Sequence, residues 1–160
     1  MECNNFNEND DFTSYINKPL EGTKTLKNLE TAYSGESQAQ NRYSFFTEQA
    51  QKDGLIQVSR IFEETANNER AHGKIWYKLL HGGRMPHTLE NLESAAQAER
   101  YEWEDMYLNF AKTAKEEGFE KIAYLFESIR RIENMHMKRY EKLVNDIKQD
   151  KVFDKDQPII

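Results

Sequence analysis

The stretch NNERAHGKIW, residues 67–76, decides the fold when it is compared with RIENMHMKRY, residues 131–140. Each stretch has a glutamate three residues before a histidine, and the pairs are Glu69–His72 and Glu133–His136. Residues three apart share a face of an α-helix, so each pair presents a carboxylate beside an imidazole. In a chain with 28 acidic residues this spacing also arises by chance. The rest of the sequence must therefore show whether the two pairs form one site.

The chain is predicted to form four amphipathic helices. Apolar residues recur at steps of three and four from about Thr23 onwards. Glycines interrupt this period within QKDG (51–54), HGGRMPH (81–87) and KEEG (115–118). Long helices joined by short turns are typical of a four-helix bundle. We therefore expect residues 23–149 to form one all-α bundle.

The predicted helices repeat in pairs. Five residues of the first pair recur 64 positions later, namely Gly54, Phe62, Glu63, Glu69 and His72. In the helices before them, Glu36 recurs as Glu99 after 63 positions and Tyr43 recurs as Tyr107 after 64. Two copies of one helix hairpin would pack about an approximate two-fold axis, which places Glu36 opposite Glu99. The same axis would place one Glu-x-x-His unit opposite the other.

Composition limits the classes of function. The chain has 160 residues, a net charge of −6 and a single cysteine, Cys3. The negative charge argues against nucleic-acid binding, and no apolar run reaches the roughly 18–20 residues of a membrane span. Residues 1–22, rich in Asn, Asp and Glu, are expected to form a flexible or loosely docked extension, and residues 150–160 a C-terminal tail. Without a signal-peptide pattern, the expected location is the cytoplasm.

Carboxylates on the apolar faces point to metal binding. Glu36, Glu99 and Glu102 lie on the same helical stripes as the two Glu-x-x-His units. Ionised carboxylates in an apolar interior are strongly unfavourable unless positive charge compensates them. Carboxylate-rich sites with a few imidazoles suit iron or manganese rather than structural zinc. The pattern matches that of di-iron carboxylate bundles, with the predicted ligands Glu36, Glu69, His72, Glu99, Glu133 and His136.

Four motifs resemble those of the rubrerythrin family: GESQAQNRY (35–43), ETANNERAH (64–72), AERYEWEDMY (98–107) and IENMH (132–136). The resemblance covers roughly residues 23–153. It implies a ferritin-like bundle with a non-haem pair of iron ions, oxo-bridged when oxidised, that reduces hydrogen peroxide to water. Manganese is an alternative to iron at such a site.

The resemblance also implies roles for individual residues. Glu102 would be a seventh ligand that binds the nearby iron in the oxidised state, and that iron would shift to His72 on reduction. The equivalent place in the first half holds Ala39, so the two halves are unequal. Tyr43 and Tyr107 are predicted to hydrogen-bond ligand carboxylates, with ordinary core packing as the alternative for both.

The chain departs from the family pattern in its cysteines. Rubrerythrins usually continue into a domain in which two Cys-x-x-Cys units hold a single iron, whereas this chain has only Cys3. We therefore expect a member without the rubredoxin domain, which takes its electrons from a separate rubredoxin-like protein. The family is usually dimeric and some members exchange helices between subunits, so we expect a homodimer, with or without exchange.

Two other functions are compatible with a bundle of this kind. One is a ferritin-like ferroxidase that handles iron, and the other is a helical module without catalysis. Glu102 and the absence of a fifth helical pattern after Ile147 argue against the ferroxidase. The complete ligand set argues against the inert module. Reduction of oxygen rather than peroxide is an alternative with the same residues.

Overall fold

The computed structural model describes residues 7–149, and within that range it contains helices and no strand. The chain divides into two units, Met1–Pro86 and His87–Ile160, and each contains one helix hairpin. None of the described helices is long and apolar enough to cross a membrane. The predicted tail, 150–160, and residues 1–6 of the predicted extension lie outside the described residues.

The first hairpin pairs α1, Lys24–Lys52, with α2, Ile56–Leu80. The helix α1 begins after Thr23, whose hydroxyl oxygen accepts a hydrogen bond of 3.1 Å from the Leu26 N–H. Gly54 has a φ of 76°, the left-handed conformation expected for the turn between the two helices. The buried residues of α1 and α2 are mostly small, which lets the helices approach closely: Ala50, Ser59, Ala66, Gly73 and Lys78.

The second hairpin contains a helix that changes type along its length. It runs as α3, Thr88–Tyr101, continues as a π-helical turn, Glu102–Met106, and resumes as α4, Tyr107–Glu116. This composite helix pairs with α5, Glu120–Lys148. Small side chains and one methionine are buried in this hairpin: Ala96, Ala111, Ala114, Ala123 and Met137.

The π-helical turn explains the two offsets of the internal repeat. A π-helix bonds residue i to i+5 and takes up one residue more than an α-helical turn. The Tyr107 N–H donates to the Glu102 carbonyl, which is an i+5 bond. Because α1 runs unbroken through the equivalent place, the offset is 63 residues at Glu99 and 64 at Tyr107. The extra residue therefore lies between these two positions.

Part of the N-terminal segment docks against α2 and the loop that follows it. Phe12 is buried, with 3% of its surface exposed, and its N–H donates to the Gly83 carbonyl over 2.9 Å. The Lys78 ammonium donates to the Glu8 and Asp10 carbonyls at 2.6 and 2.8 Å. The sequence pattern misses this docking because main-chain groups of the segment supply most of the contacts. Residues 8–13 are called the strap below.

Several large apolar side chains of the two hairpins are exposed. Ile61 is 59% exposed, and on α5 the exposed fractions of Ile122, Leu125 and Ile129 are 46, 57 and 38%. The physical reason is that two paired helices bury only the flanks that face each other. The ligand faces of the hairpins therefore carry uncovered apolar surface.

Candidate metal centre

The first hairpin brings together Glu36, Glu69 and His72. Glu69 and His72 project from one face of α2, since they are three residues apart, and Glu36 comes from α1. The His72 Nδ1 atom lies 3.6 Å from Glu36 Oε1 and 3.5 Å from Glu69 Oε2. Close approach of the helices at Gly73 allows this, since a Cβ there would lie 3.6 Å from the Glu36 Cβ. One possible ligand atom from each of the three lies within 4.8 Å of the others.

The second hairpin repeats this arrangement with Glu99, Glu133 and His136. The His136 Nδ1 atom lies 2.8 Å from Glu133 Oε2, within hydrogen-bond distance, and 3.5 Å from Glu99 Oε2. One possible ligand atom from each residue again lies within 4.8 Å of the others. The six residues that the sequence predicted as ligands thus form two clusters of identical composition, one in each unit.

The electrostatics of both clusters call for positive charge. Burial raises the pKa of Glu36, and the neighbouring Glu69 carboxylate raises it further. Burial likewise raises the pKa of Glu99, together with the Glu133 carboxylate. The Glu99 Oε2 atom is buried and has no hydrogen-bond partner among the described residues. A buried carboxylate oxygen without a partner is costly, and a bound cation removes that cost.

The donor set fits iron. Each cluster offers two carboxylates and one imidazole, a combination that suits iron or manganese better than zinc, whose structural sites favour thiolates. The only cysteine of the chain is Cys3, so no thiolate cluster competes for the metal. When bound, the two ions would be held by Glu36, Glu69 and His72 and by Glu99, Glu133 and His136.

Glu102 is an extra carboxylate on the second hairpin. It is the first residue of the π-helical turn and is partly buried. Burial raises its pKa, the Glu133 carboxylate raises it further, and His136 opposes that effect. Glu102 therefore lies within electrostatic reach of the second cluster. The exchange with His72, which belongs to the other unit, stays a prediction.

Tyr43 and Tyr107 pack against aromatic rings in their own hairpins. Tyr43 stacks on Phe62 with ring centroids 6.1 Å apart, and Tyr107 lies 6.0 Å from Phe126. Burial raises the pKa of Tyr107, as do the carboxylates of the second cluster and Glu102. Among residues 7–149, neither hydroxyl hydrogen-bonds a ligand carboxylate. The hydrogen-bonding role of both tyrosines stays a prediction.

Sequence reasoning missed the surroundings of the first cluster. A cavity of about 820 Å³ lies between the strap and α2, with Glu8 and Phe12 on one side and His72 and Trp76 on the other. The strap and the predicted ligand His72 therefore line the same cavity. The sequence offered one signal, the glycine at position 83. In the structure its φ is 93°, and the absence of a side chain makes room for the strap.

Comparisons with known proteins agree with this chemistry. The family model described as Rubrerythrin matches residues 27–144. Rubrerythrin-1 of Clostridium acetobutylicum is 46% identical over 155 residues, which cover 88% of this chain and 80% of that protein. Rubrerythrin of Nitratidesulfovibrio vulgaris is 44% identical, with 88 and 79% covered.

Nigerythrin is similar both as a curated protein and as a solved structure. The protein from Nitratidesulfovibrio vulgaris is 36% identical, with 77% of this chain and 67% of that protein covered. The solved structure of its fully reduced, all-ferrous state is 32% identical, covers 95% of this chain and 78% of that one, and has a TM-score of 0.41. The family match, together with the two metal-binding clusters, confirms the expected all-α, ferritin-like fold class and the pair of iron ions. The chain belongs to the rubrerythrin family.

Proposed function

We propose that the protein is a non-haem di-iron peroxidase that protects against oxidative stress. It would reduce hydrogen peroxide with electrons from a separate rubredoxin-like donor. One peroxide, two electrons and two protons give two water molecules. The observation that carries the proposal is the pair of equivalent Glu-Glu-His clusters with one extra carboxylate, Glu102, near only the second. When bound, the irons supply the Lewis acidity and the electrons for cleavage of the O–O bond.

The residues of the chain have separate tasks in this proposal. The two clusters hold the metals, and Glu102 exchanges with His72 as a ligand when the oxidation state changes. His72 suits a mobile ligand because 52% of its side chain is exposed, against 39% for His136, which also hydrogen-bonds Glu133. The Tyr107 hydroxyl is protonated at neutral pH, since burial raises its pKa above the ordinary value of 10, and it can therefore donate to a carboxylate.

The proposal is tested by mixing the reduced, iron-loaded protein with peroxide or with oxygen in a stopped-flow instrument. We expect oxidation by peroxide to be the faster reaction. Glu102→Gln should slow it by about 10–100-fold, the usual cost of disturbing groups that tune a metal site. Glu104→Gln is the matched control, since Glu104 belongs to the same turn but is exposed and paired with Arg100 at 2.9 Å. Faster oxidation by oxygen, or an unchanged rate in Glu102→Gln, would contradict the proposal.

The electron donor is tested separately. We expect an NAD(P)H oxidoreductase to reduce the protein slowly by itself and rapidly once a rubredoxin is added. Rapid reduction without rubredoxin would remove that part of the proposal. An assay with excess ferrous iron examines the ferroxidase alternative, because an iron-storing protein would accumulate ferric mineral and elute as a large cage.

We also propose that the protein works as a homodimer. Its support is the apolar surface that each hairpin leaves exposed on the ligand face, including Ile61, Ile122 and Leu125. Mixing Glu69→Ala chains with Glu133→Ala chains tests whether helices are exchanged. In an exchanged heterodimer one site combines two intact hairpins, so peroxidase activity returns on mixing. Without exchange every site keeps one altered hairpin and activity stays low.

A further inference from the structure

A partly buried arginine contacts the π-helical turn of the second hairpin. Arg130 comes from α5, and 16% of its side chain is exposed. Its Nε–H donates to the Trp103 carbonyl over 2.8 Å. Its guanidinium carbon lies 3.9 Å from the centre of the Trp103 ring, within cation–π distance. One residue of the turn is therefore held through both its main chain and its side chain.

A second contact fixes the arginine itself. Its Nη1 atom donates to both carboxylate oxygens of Glu127, one turn earlier on α5, at 2.9 and 3.2 Å. The guanidinium is thus held between Glu127 and Trp103. Where the bonding changes from i+5 back to i+4, the inserted residue leaves a main-chain carbonyl that needs a donor from elsewhere. Arg130 supplies such a donor.

The first hairpin has neither the turn nor the arginine. The 64-residue offset places the buried Ala66 in the position equivalent to Arg130, and α1 continues without interruption. The three features that distinguish the second hairpin therefore occur together: the π-helical turn, Arg130 and Glu102.

The turn determines which side chains face the cluster. Tyr107 lies eight positions after Glu99, and in an unbroken α-helix that spacing rotates the second residue by about 80° from the first. The additional residue absorbed by the π-helical turn restores the seven-residue relation that joins Glu36 to Tyr43. Tyr107 therefore lies on the helix face that carries Glu99, just as Tyr43 lies on the face that carries Glu36.

We propose that Arg130 is a positioning residue that holds the π-helical turn in place through Trp103 and so keeps Glu102 and Tyr107 directed at the second cluster. This rests on the proposed function, in which Glu102 is an iron ligand. Arg130 acts through Trp103, by its hydrogen bond to the carbonyl and its contact with the ring.

The test compares Arg130→Met with Arg131→Met. Arg131 is the matched control, because it is adjacent, 74% exposed, and lies 3.9 Å from the same Glu127 carboxylate. In the metal-free protein, we expect amide hydrogen exchange at residues 102–107 to become at least about tenfold faster in Arg130→Met only, since the turn loses a fixed carbonyl partner. Equal exchange in the two variants would overturn the proposal. If Arg130→Met does not fold, Arg130→Lys takes its place, because it keeps the charge but cannot bridge both partners.

A second readout uses the oxidised, iron-loaded protein. Iron content should remain two per chain, whereas the visible absorption and Mössbauer spectra of Arg130→Met should shift towards those of Glu102→Gln. In the double variant the two changes should not add, because both act through one carboxylate. Additive shifts would overturn the link to Glu102. If Glu102→Gln itself leaves the spectra unchanged, the ligand role of Glu102 in the proposed function is wrong. Amide hydrogen exchange then still tests whether Arg130 stabilises the turn.

Discussion

Replacing Gly83 by alanine should release the strap. A Cβ at Gly83 would lie 2.5 Å from the Thr13 Cα and 2.6 Å from the Phe12 carbonyl carbon, closer than real Cβ atoms approach. Gly83 also has a φ of 93°, a backbone conformation that residues with a side chain rarely adopt. Gly82 provides a matched control, because its φ is 77° and a Cβ there meets nothing within 4 Å. Both variants carry the backbone strain, but only Gly83→Ala carries the clash.

The magnitude follows from what the strap contributes. Alanine in the left-handed region costs about 1–2 kcal/mol, and that cost applies to both variants. Release of the strap additionally exposes Phe12, whose burial is worth about 1.5–3 kcal/mol, and breaks the hydrogen bonds from Lys78. The conformational entropy that the released strap regains offsets part of this cost. We expect Gly83→Ala to be less stable than Gly82→Ala by about 2 kcal/mol, since the strap undocks rather than deforming the hairpin.

Urea unfolding followed by circular dichroism measures the difference between the two variants. Limited proteolysis should cut Gly83→Ala within residues 7–22 much sooner than it cuts Gly82→Ala. The released strap should also open the cavity beside His72, so diethyl pyrocarbonate should modify His72 faster in Gly83→Ala. Equal stability and equal cleavage of the two variants would refute the idea that the strap is held against Gly83.

Three further predictions concern the strap and the second cluster. Lys78→Met should speed proteolysis of the strap more than Lys74→Met does. Lys78 is buried and donates to two carbonyls, whereas Lys74 donates to one exposed side chain. Faster cleavage in Lys74→Met than in Lys78→Met would contradict this. Hydrogen bonds from the Thr13 hydroxyl and N–H lower the pKa of Asp11 to about 2. The Asp11 carboxylate should therefore stabilise the docked strap at any pH above 3.8, its ordinary pKa, and this stabilisation should be lost as the pH falls from 3.8 towards 2. An NMR titration of the Asp11 carboxyl checks this, and a midpoint near 3.8 would disprove it. Glu99→Gln should raise the melting temperature of the metal-free protein at pH 7, because a carboxylate with a raised pKa destabilises the fold when it is ionised. The same variant should bind less iron, as measured by metal analysis. An unchanged iron content would exclude Glu99 as a ligand.

The two clusters could be predicted from the sequence because helical spacing is a local property. Glu69 and His72 share a face of any α-helix, as do Glu133 and His136, whatever surrounds them. The internal repeat then supplied the partners, Glu36 and Glu99, without knowledge of the packing.

The π-helical turn left only a faint trace in the sequence, the change of offset from 63 to 64. Its position could not be predicted, because an additional residue in a helix is tolerated wherever tertiary contacts satisfy the displaced carbonyls. Here Arg130 satisfies the carbonyl of Trp103 from 27 residues away.

The strap shows the same limit. Its composition, rich in Asn, Asp and Glu, indicates a flexible segment, and for an isolated segment that expectation is physically sound. Docking adds to the buried Phe12 side chain two features that the composition of the strap does not reveal, namely main-chain carbonyls that bond Lys78 and the space left by Gly83.

The sequence by itself determined the helical class, the two hairpins and the six residues that form the Glu-Glu-His clusters, since each depends on spacing along one helix or on the repeat. The sequence also showed one difference between the halves, Glu102 against Ala39, but only the tertiary structure showed the contacts between distant segments that distinguish them further. Arg130 against Trp103 shapes the second hairpin, and the strap against Lys78 and Gly83 shapes the first.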